Sequence, residues 1–170
     1  IGILVLYFVG SLSFPVAAAE AHPLRMSVSA PPAVIQSMPI LTAEAALVME
    51  ESSGMVIFAK NPHERRSIAS ITKLMTALVI RNTLELEATA TVPTGATLII
   101  GRKVDLFAGE VLSIADLVRA ILIHSGNDAA YTLAVALDDS IAAFAERMNR
   151  RAYYLGMRNT SFANPHGLDH

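Results

Sequence analysis

Apolar and polar positions fall into blocks of different period along the chain. Residues 1–19 carry no charge, and 1–9 are apolar apart from Gly2. Residues 22–42 hold Pro23, Pro31, Pro32 and Pro39 without a period, which reads as a flexible linker. Two continuous apolar runs follow, 45–49 and 55–59, separated by a polar turn ending in Gly54. They predict a β-hairpin, and their lack of alternation predicts cover on both faces. A polar loop, 61–66, leads into residues 67–84. From 71 to 80 that stretch is apolar almost all round, which predicts a helix buried on most faces. Residues 81–97 read as a helix end and a turn at Pro93-Thr94-Gly95. Ser113-Ile114-Ala115-Asp116 is a capping box and predicts a helix to about Ile123. Residues 124–128 break the apolar pattern, and helix resumes over 129–137. Asp139 or Ser140 then caps a longer helix with Ile141, Phe144, Ala145, Met148, Ala152 and Leu155 on one stripe, ended by Gly156. Residues 160–170 read as irregular.

The 170 residues suffice for one domain. The chain is 53% apolar but only 6% aromatic, so small and aliphatic side chains must build its core. A net charge of -2 and the lack of a basic stripe exclude nucleic acid as a partner. Arg147, Arg150, Arg151 and Arg158 are spaced as a solvated helix face. No cysteine is present, which excludes disulfides and Cys-based zinc sites. The uncharged apolar start, followed by Ala17-Ala18-Ala19 and Ala21, has the form of a secretory signal peptide over 1–21, cleaved near Ala19 or Ala21. An uncleaved membrane anchor is the alternative. The chain has neither a starting Met nor a basic leader, so this segment is expected to be fragmentary. The expected organisation is signal peptide 1–21, linker 22–42 and one catalytic domain from 43 to 170, working outside the cytoplasm.

The start of the 67–84 helix needs an explanation. Ser70 and Lys73 are three residues apart and share one helical face. A neutral lysine amine can take a proton from a serine hydroxyl and make it a nucleophile. Burial and the positive end of the helix dipole both favour the neutral amine. Yet Ser-x-x-Lys recurs by chance. On its own, a serine capping a core helix and a lysine reaching solvent is the better reading.

Ser125-Gly126-Asn127 is the second polar interruption. Gly126 permits a tight turn that can aim the flanking hydroxyl and amide into one cleft. Asn offers a donor and an acceptor, which suits a substrate peptide bond, and Ser can relay a proton. A polar interhelical turn with Asp128 as N-cap explains the segment equally well.

Together the two motifs resemble the serine D-Ala-D-Ala carboxypeptidases, the low-molecular-mass penicillin-binding proteins. Ser70-Ile71-Thr72-Lys73, followed by Leu74-Met75-Thr76-Ala77, is similar to their first active-site motif. Ser125-Gly126-Asn127, followed by Asp128-Ala129-Ala130, is similar to their second. Further likeness lies in the hairpin at 45–60, in Leu106–Glu110 with Leu117, in Met148-Asn149, in Leu155-Gly156-Met157 and in Asn164-Pro165-His166-Gly167-Leu168-Asp169. The resemblance spans about 43–170. Two departures stand out. Ser67 replaces a proline that many relatives carry, and none of the three lysines, Lys60, Lys73 and Lys103, opens the family's third motif, Lys-Thr-Gly.

The resemblance implies an α/β (α+β) fold of the β-lactamase/transpeptidase type: an antiparallel sheet packed with helices, plus a mostly helical region. The later strands of that sheet are expected to be missing from this chain, which should leave it inactive alone. The implied reaction removes the terminal D-Ala of peptidoglycan stem peptides through a serine acyl-enzyme. Ser70 would be the nucleophile, Lys73 the base, Ser125 a proton relay and Asn127 a substrate-amide clamp. β-Lactams would acylate Ser70, and inner-membrane association is an open possibility. A peptidoglycan DD-endopeptidase shares all these motifs, and a non-catalytic cell-wall-binding fragment is the alternative of another class. No cofactor or metal is expected, because His166, Asp169 and His170 lack a third histidine and lie in a structural loop of the family. His124 is expected to line the cleft, and Met75, Met148 and Met157 to lie in the core.

Overall fold

The computed structural model describes residues 40–168 and, before them, the two-residue strand β1 (Val5–Leu6). The signal peptide expected over 1–21 and most of the linker over 22–42 lie outside the described residues. Two compact units divide the chain, Ile1–Glu64 and Arg65–His170.

In the first unit, β2 (Ala46–Met49) and β3 (Val56–Lys60) form the expected antiparallel hairpin. Ala46 faces Lys60, and the register shifts between Val48 and Met49. β1 pairs parallel with β2, giving the order β1-β2-β3. The turn is closed by Glu50, whose carboxylate accepts the backbone N–H and hydroxyl of both Ser52 and Ser53. Those bonds, the Ser53 hydroxyl first, hold its carboxyl down at about 2. Lys60 Nζ donates to the carbonyls of Leu41 (2.9 Å) and Ala43 (2.6 Å), tying the incoming chain to the hairpin. The hairpin is covered unevenly: Ala46 is buried, whereas Met55, Val56 and Ile57 are more than half exposed. A continuous apolar run shows that both faces can be buried, but another element must supply the cover.

The second unit is built around helices. A 3-10 turn (Ala69–Ile71) runs into α1 (Thr72–Arg81). A short ribbon of β4 (Thr89–Thr91) and β5 (Val111–Ser113) brackets α2 (Thr94–Thr97). α3 (Ile114–Arg119) continues as a π-helical turn (Ala120–His124), then α4 (Asn127–Asp138) and α5 (Ile141–Tyr154) follow. α4 is central and packs against α1, α2, α3 and α5. Its buried face carries Ala129, Ala130 and Ala134, small enough for close helix approach, with Leu133 as the large contact. The core joins these to Met75, Val79, Ile80, Leu117, Ile121, Phe144 and Met148. Burying each large side chain contributes roughly 1.5–3 kcal/mol before entropy is counted.

The capping box forms as expected, with Ser113 Oγ accepting the Asp116 N–H at 3.0 Å. Ser140 caps α5 through the Ala143 N–H at 3.2 Å. Of the expected stripe, Phe144, Ala145, Met148 and Ala152 are buried, whereas Leu155 lies past the helix end and is exposed, as is Met157. The helix expected to about Ile123 changes its hydrogen-bond step at Ala120, and residues 89–91 form a strand within a stretch read as a helix end and a turn. Thr-Ala-Thr has no apolar run; its pairing with β5 decides it. The arginine face is also less solvated than expected. Arg147 makes a two-pronged bond to Asp138 at the end of α4, and Arg158 stacks 3.8 Å over the Tyr153 ring.

Candidate active site

Ser70 lies in the 3-10 turn and is exposed, while Lys73, one turn further on, is 2% exposed. Lys73 Nζ donates to Ser70 Oγ at 3.1 Å and to the His166 carbonyl at 3.1 Å. The i,i+3 spacing thus produces direct contact. Burial pushes the Lys73 amine down from 10.5 to about 8, so at pH 7 roughly one amine in ten is neutral. Ala69, just before the serine, holds a left-handed φ of 46°, a conformation non-glycine residues rarely adopt. Its carbonyl is met by the turn at 164–168.

That turn is shaped by Asn164, 4% exposed, whose Oδ1 accepts the N–H groups of His166 (3.1 Å) and Gly167 (2.6 Å). Asn164 Nδ2 donates to the Leu168 carbonyl at 2.9 Å. Thr76 Oγ1 on α1 donates to the Pro165 carbonyl at 2.7 Å. Gly167 sits at φ 78°, and a Cβ there would lie 1.9 Å from the Ala69 carbonyl oxygen, so only glycine fits. The sequence marks a turn here through Asn-Pro-x-Gly. Nothing in it marks the docking onto α1.

The second motif closes the π-helical turn. Ser125 is left-handed at φ 59°, and Gly126 precedes α4 in extended conformation. Asn127 is 3% exposed. Its backbone N–H donates to the Arg102 carbonyl at 2.8 Å, and its Nδ2 donates to the Ile100 carbonyl at 2.9 Å. Asp128, fully buried, accepts the N–H groups of Val104 and Leu106 at 3.1 Å, and of Ala129 at 2.9 Å. The motif therefore holds the 100–106 loop in place. Asp128 is not the helix cap the sequence offered, since Gly126 holds that position and Asp128 lies within α4; its carboxylate is the loop's anchor.

Gly101 lies close both to the second motif and to the turn that docks beside the first. A Cβ on Gly101, whose φ is 82°, would lie 2.9 Å from Asn127 Nδ2 and 3.6 Å from Leu168 Cδ2. Leu168 belongs to the turn that docks on Ala69. Among the described residues, Ser125 Oγ makes no hydrogen bond to Ser70 or Lys73. Exposed His124 lines a separate open cavity of about 780 Å³ with Arg102, Lys103, Asp116 and Arg119.

The peptidase S11 family model, D-alanyl-D-alanine carboxypeptidase, matches residues 32–170. The chain is 37% identical over 131 residues to the D-alanyl-D-alanine carboxypeptidase DacF of Bacillus subtilis, covering 74% of this chain and 34% of that protein. It is 35% identical over 147 residues to the D-alanyl-D-alanine endopeptidase of Pseudomonas aeruginosa, covering 84% of this chain and 47% of that protein. The solved D-alanyl-D-alanine carboxypeptidase DacD of Francisella tularensis superposes with a TM-score of 0.74 at 34% identity, covering 78% of this chain and 33% of that one. The chain thus spans about a third to a half of the length of these relatives. The fold is that of the penicillin-binding proteins and DD-transpeptidases, as the motifs implied. The chain belongs to the D-alanyl-D-alanine carboxypeptidase family.

Proposed function

We propose that this chain carries the acylating half of a serine-type D-Ala-D-Ala carboxypeptidase acting on peptidoglycan stem peptides outside the cytoplasm. The observation that carries the reading is the buried Lys73 amine, lowered by burial to about 8, 3.1 Å from the exposed Ser70 hydroxyl. The neutral amine takes the Ser70 proton as Oγ bonds to the carbonyl carbon of the penultimate D-Ala. The Ser70 backbone N–H, at the positive end of α1, faces the developing oxyanion. The peptide bond breaks, and the departing D-Ala nitrogen takes a proton relayed through Ser125. Asn127 holds the substrate amide with its carboxamide oxygen and its second N–H, since one N–H already serves Ile100. Water then cleaves the ester and restores Ser70. No cofactor enters this scheme, and β-lactams acylate the same hydroxyl.

Likeness to a D-alanyl-D-alanine endopeptidase supports the same chemistry on a cross-linked peptide as the second reading. The test is covalent labelling of the full-length protein by a fluorescent penicillin. Ser70→Ala is expected to abolish labelling. Undiminished labelling on another residue refutes the assignment. Product analysis on a stem pentapeptide and on a cross-linked dimer separates carboxypeptidase from endopeptidase.

A further inference from the structure

The turn at 164–168 reaches the reacting amine although none of its side chains does. Lys73 Nζ has two protein acceptors, and one is the His166 carbonyl. That carbonyl is aimed by a turn in which one side chain, Asn164, makes three internal bonds, beside one from the Leu168 N–H to the His166 ring. The three bonds stay within the turn, so Asn164 sets its shape. Thr76 and Gly167 dock the shaped turn on α1. We propose that Asn164 is a positioning residue for Lys73: its buried carboxamide presents the His166 carbonyl to the amine and keeps water from it. The inference rests on the acyl-transfer reading of Ser70 and Lys73.

Removing the carboxamide orphans two N–H groups, that of buried His166 and that of half-buried Gly167. An unpaired buried donor carries the full desolvation penalty, so the turn must open to water. Two effects on the amine then oppose each other. Losing the carbonyl acceptor disfavours the ammonium, and admitting water favours it. Burial is what lowers this amine, so hydration wins and the amine moves back toward its ordinary value. The facing groups leave this balance intact. The Ser70 hydroxyl is neutral. The His166 ring is tied within the turn, its Nδ1 accepting the Leu168 N–H at 3.2 Å. The Asp128 carboxylate is engaged by Val104, Leu106 and Ala129. Among the described residues no charged side chain hydrogen-bonds or ion-pairs with Lys73.

The molecule supplies its own control. Asn149 on α5 braces Phe162 in the same way, Nδ2 donating to its carbonyl at 2.8 Å and Oδ1 accepting its N–H at 2.7 Å. It holds the entry to the same loop but no group that touches Lys73. The experiment measures the rate of acylation by fluorescent penicillin against pH in the full-length protein. Parent, Asn164→Ala, Asn164→Ser and Asn149→Ala are compared. Asn164→Ala is expected to move the acid limb up by about one pH unit, cutting the rate at pH 7 about tenfold and restoring it at high pH. Serine forms the same turn more weakly, so Asn164→Ser should fall between parent and alanine. Asn149→Ala should lower the unfolding midpoint and leave the limb in place. An unmoved limb in Asn164→Ala, or an equal shift in Asn149→Ala, overturns the proposal. If the alanine variant does not fold, an unmoved limb in Asn164→Ser overturns it. Ser70→Ala in the same assay keeps the two readings apart: persistent labelling there sinks the acyl-transfer reading, whereas lost labelling with an unmoved Asn164 limb sinks only the positioning role.

Discussion

The two motifs are braced by distant loops, and they are braced differently. Ser70 and Lys73 lean on the turn at 164–168, whose contact with the Lys73 amine is a backbone carbonyl. Asn127 and Asp128 lean on the 100–106 loop, and there the motif side chains themselves form the bonds. In the first case the loop holds the Lys73 amine and leaves Ser70 exposed. In the second the motif serves the loop, and part of the hydrogen-bonding capacity of Asn127 is used within the fold. A motif read as purely catalytic can therefore carry much of the local structure. Breaking the first motif should cost rate; breaking the second should cost folding as well.

The largest expected effect tests the first half of that contrast. Lys73→Arg keeps a positive charge but cannot accept a proton, so penicillin acylation should fall by about 10²–10⁴. Rates within a few-fold of the parent would show that Lys73 supplies charge alone. Next comes Asp128→Ala. It leaves the Val104, Leu106 and Ala129 N–H groups without their buried acceptor, and unfolding free energy should drop by about 3 kcal/mol. Urea unfolding measures it, and a loss below about 1 kcal/mol would mean that the 100–106 loop holds itself.

The smallest effect is a gain in stability and depends on pH. The Lys73 amine is lowered in the fold, to about 8 from 10.5, so the unfolded chain binds this proton more tightly. The resulting penalty on the native state is fully present below pH 8 and fades as pH rises from 8 to 10.5. Lys73→Met should therefore stabilise the protein at pH 7, by at most on the order of 3 kcal/mol. Its advantage should shrink across pH 8–10.5. An advantage that stayed constant with pH would trace to packing rather than to the buried amine.

How much was legible in the sequence follows the range of each interaction. The i,i+3 contact of Ser70 with Lys73, the Ser113 and Ser140 caps and the Phe144–Ala152 stripe were all readable, because helical geometry fixes them within one or two turns. The break at Ser125-Gly126 was readable too, although the left-handed residue there is Ser125 and not the glycine. The strand at 89–91 was not readable, since Thr-Ala-Thr has no pattern of its own and takes its form from pairing with 111–113. Which hairpin residues are covered was not readable, because an apolar run states a need and cannot name the element that meets it.

The sequence by itself determined the family, the helical order of the second unit and the face that Ser70 and Lys73 share. Only the tertiary structure decided that His166, 93 residues away, receives the Lys73 amine through its carbonyl, that Gly167 is required by the Ala69 oxygen, and that Asp128 anchors a loop. The physical reason is common to all three. Each contact runs to backbone, and a backbone N–H or carbonyl is the same at every position, so only the fold can say which one arrives.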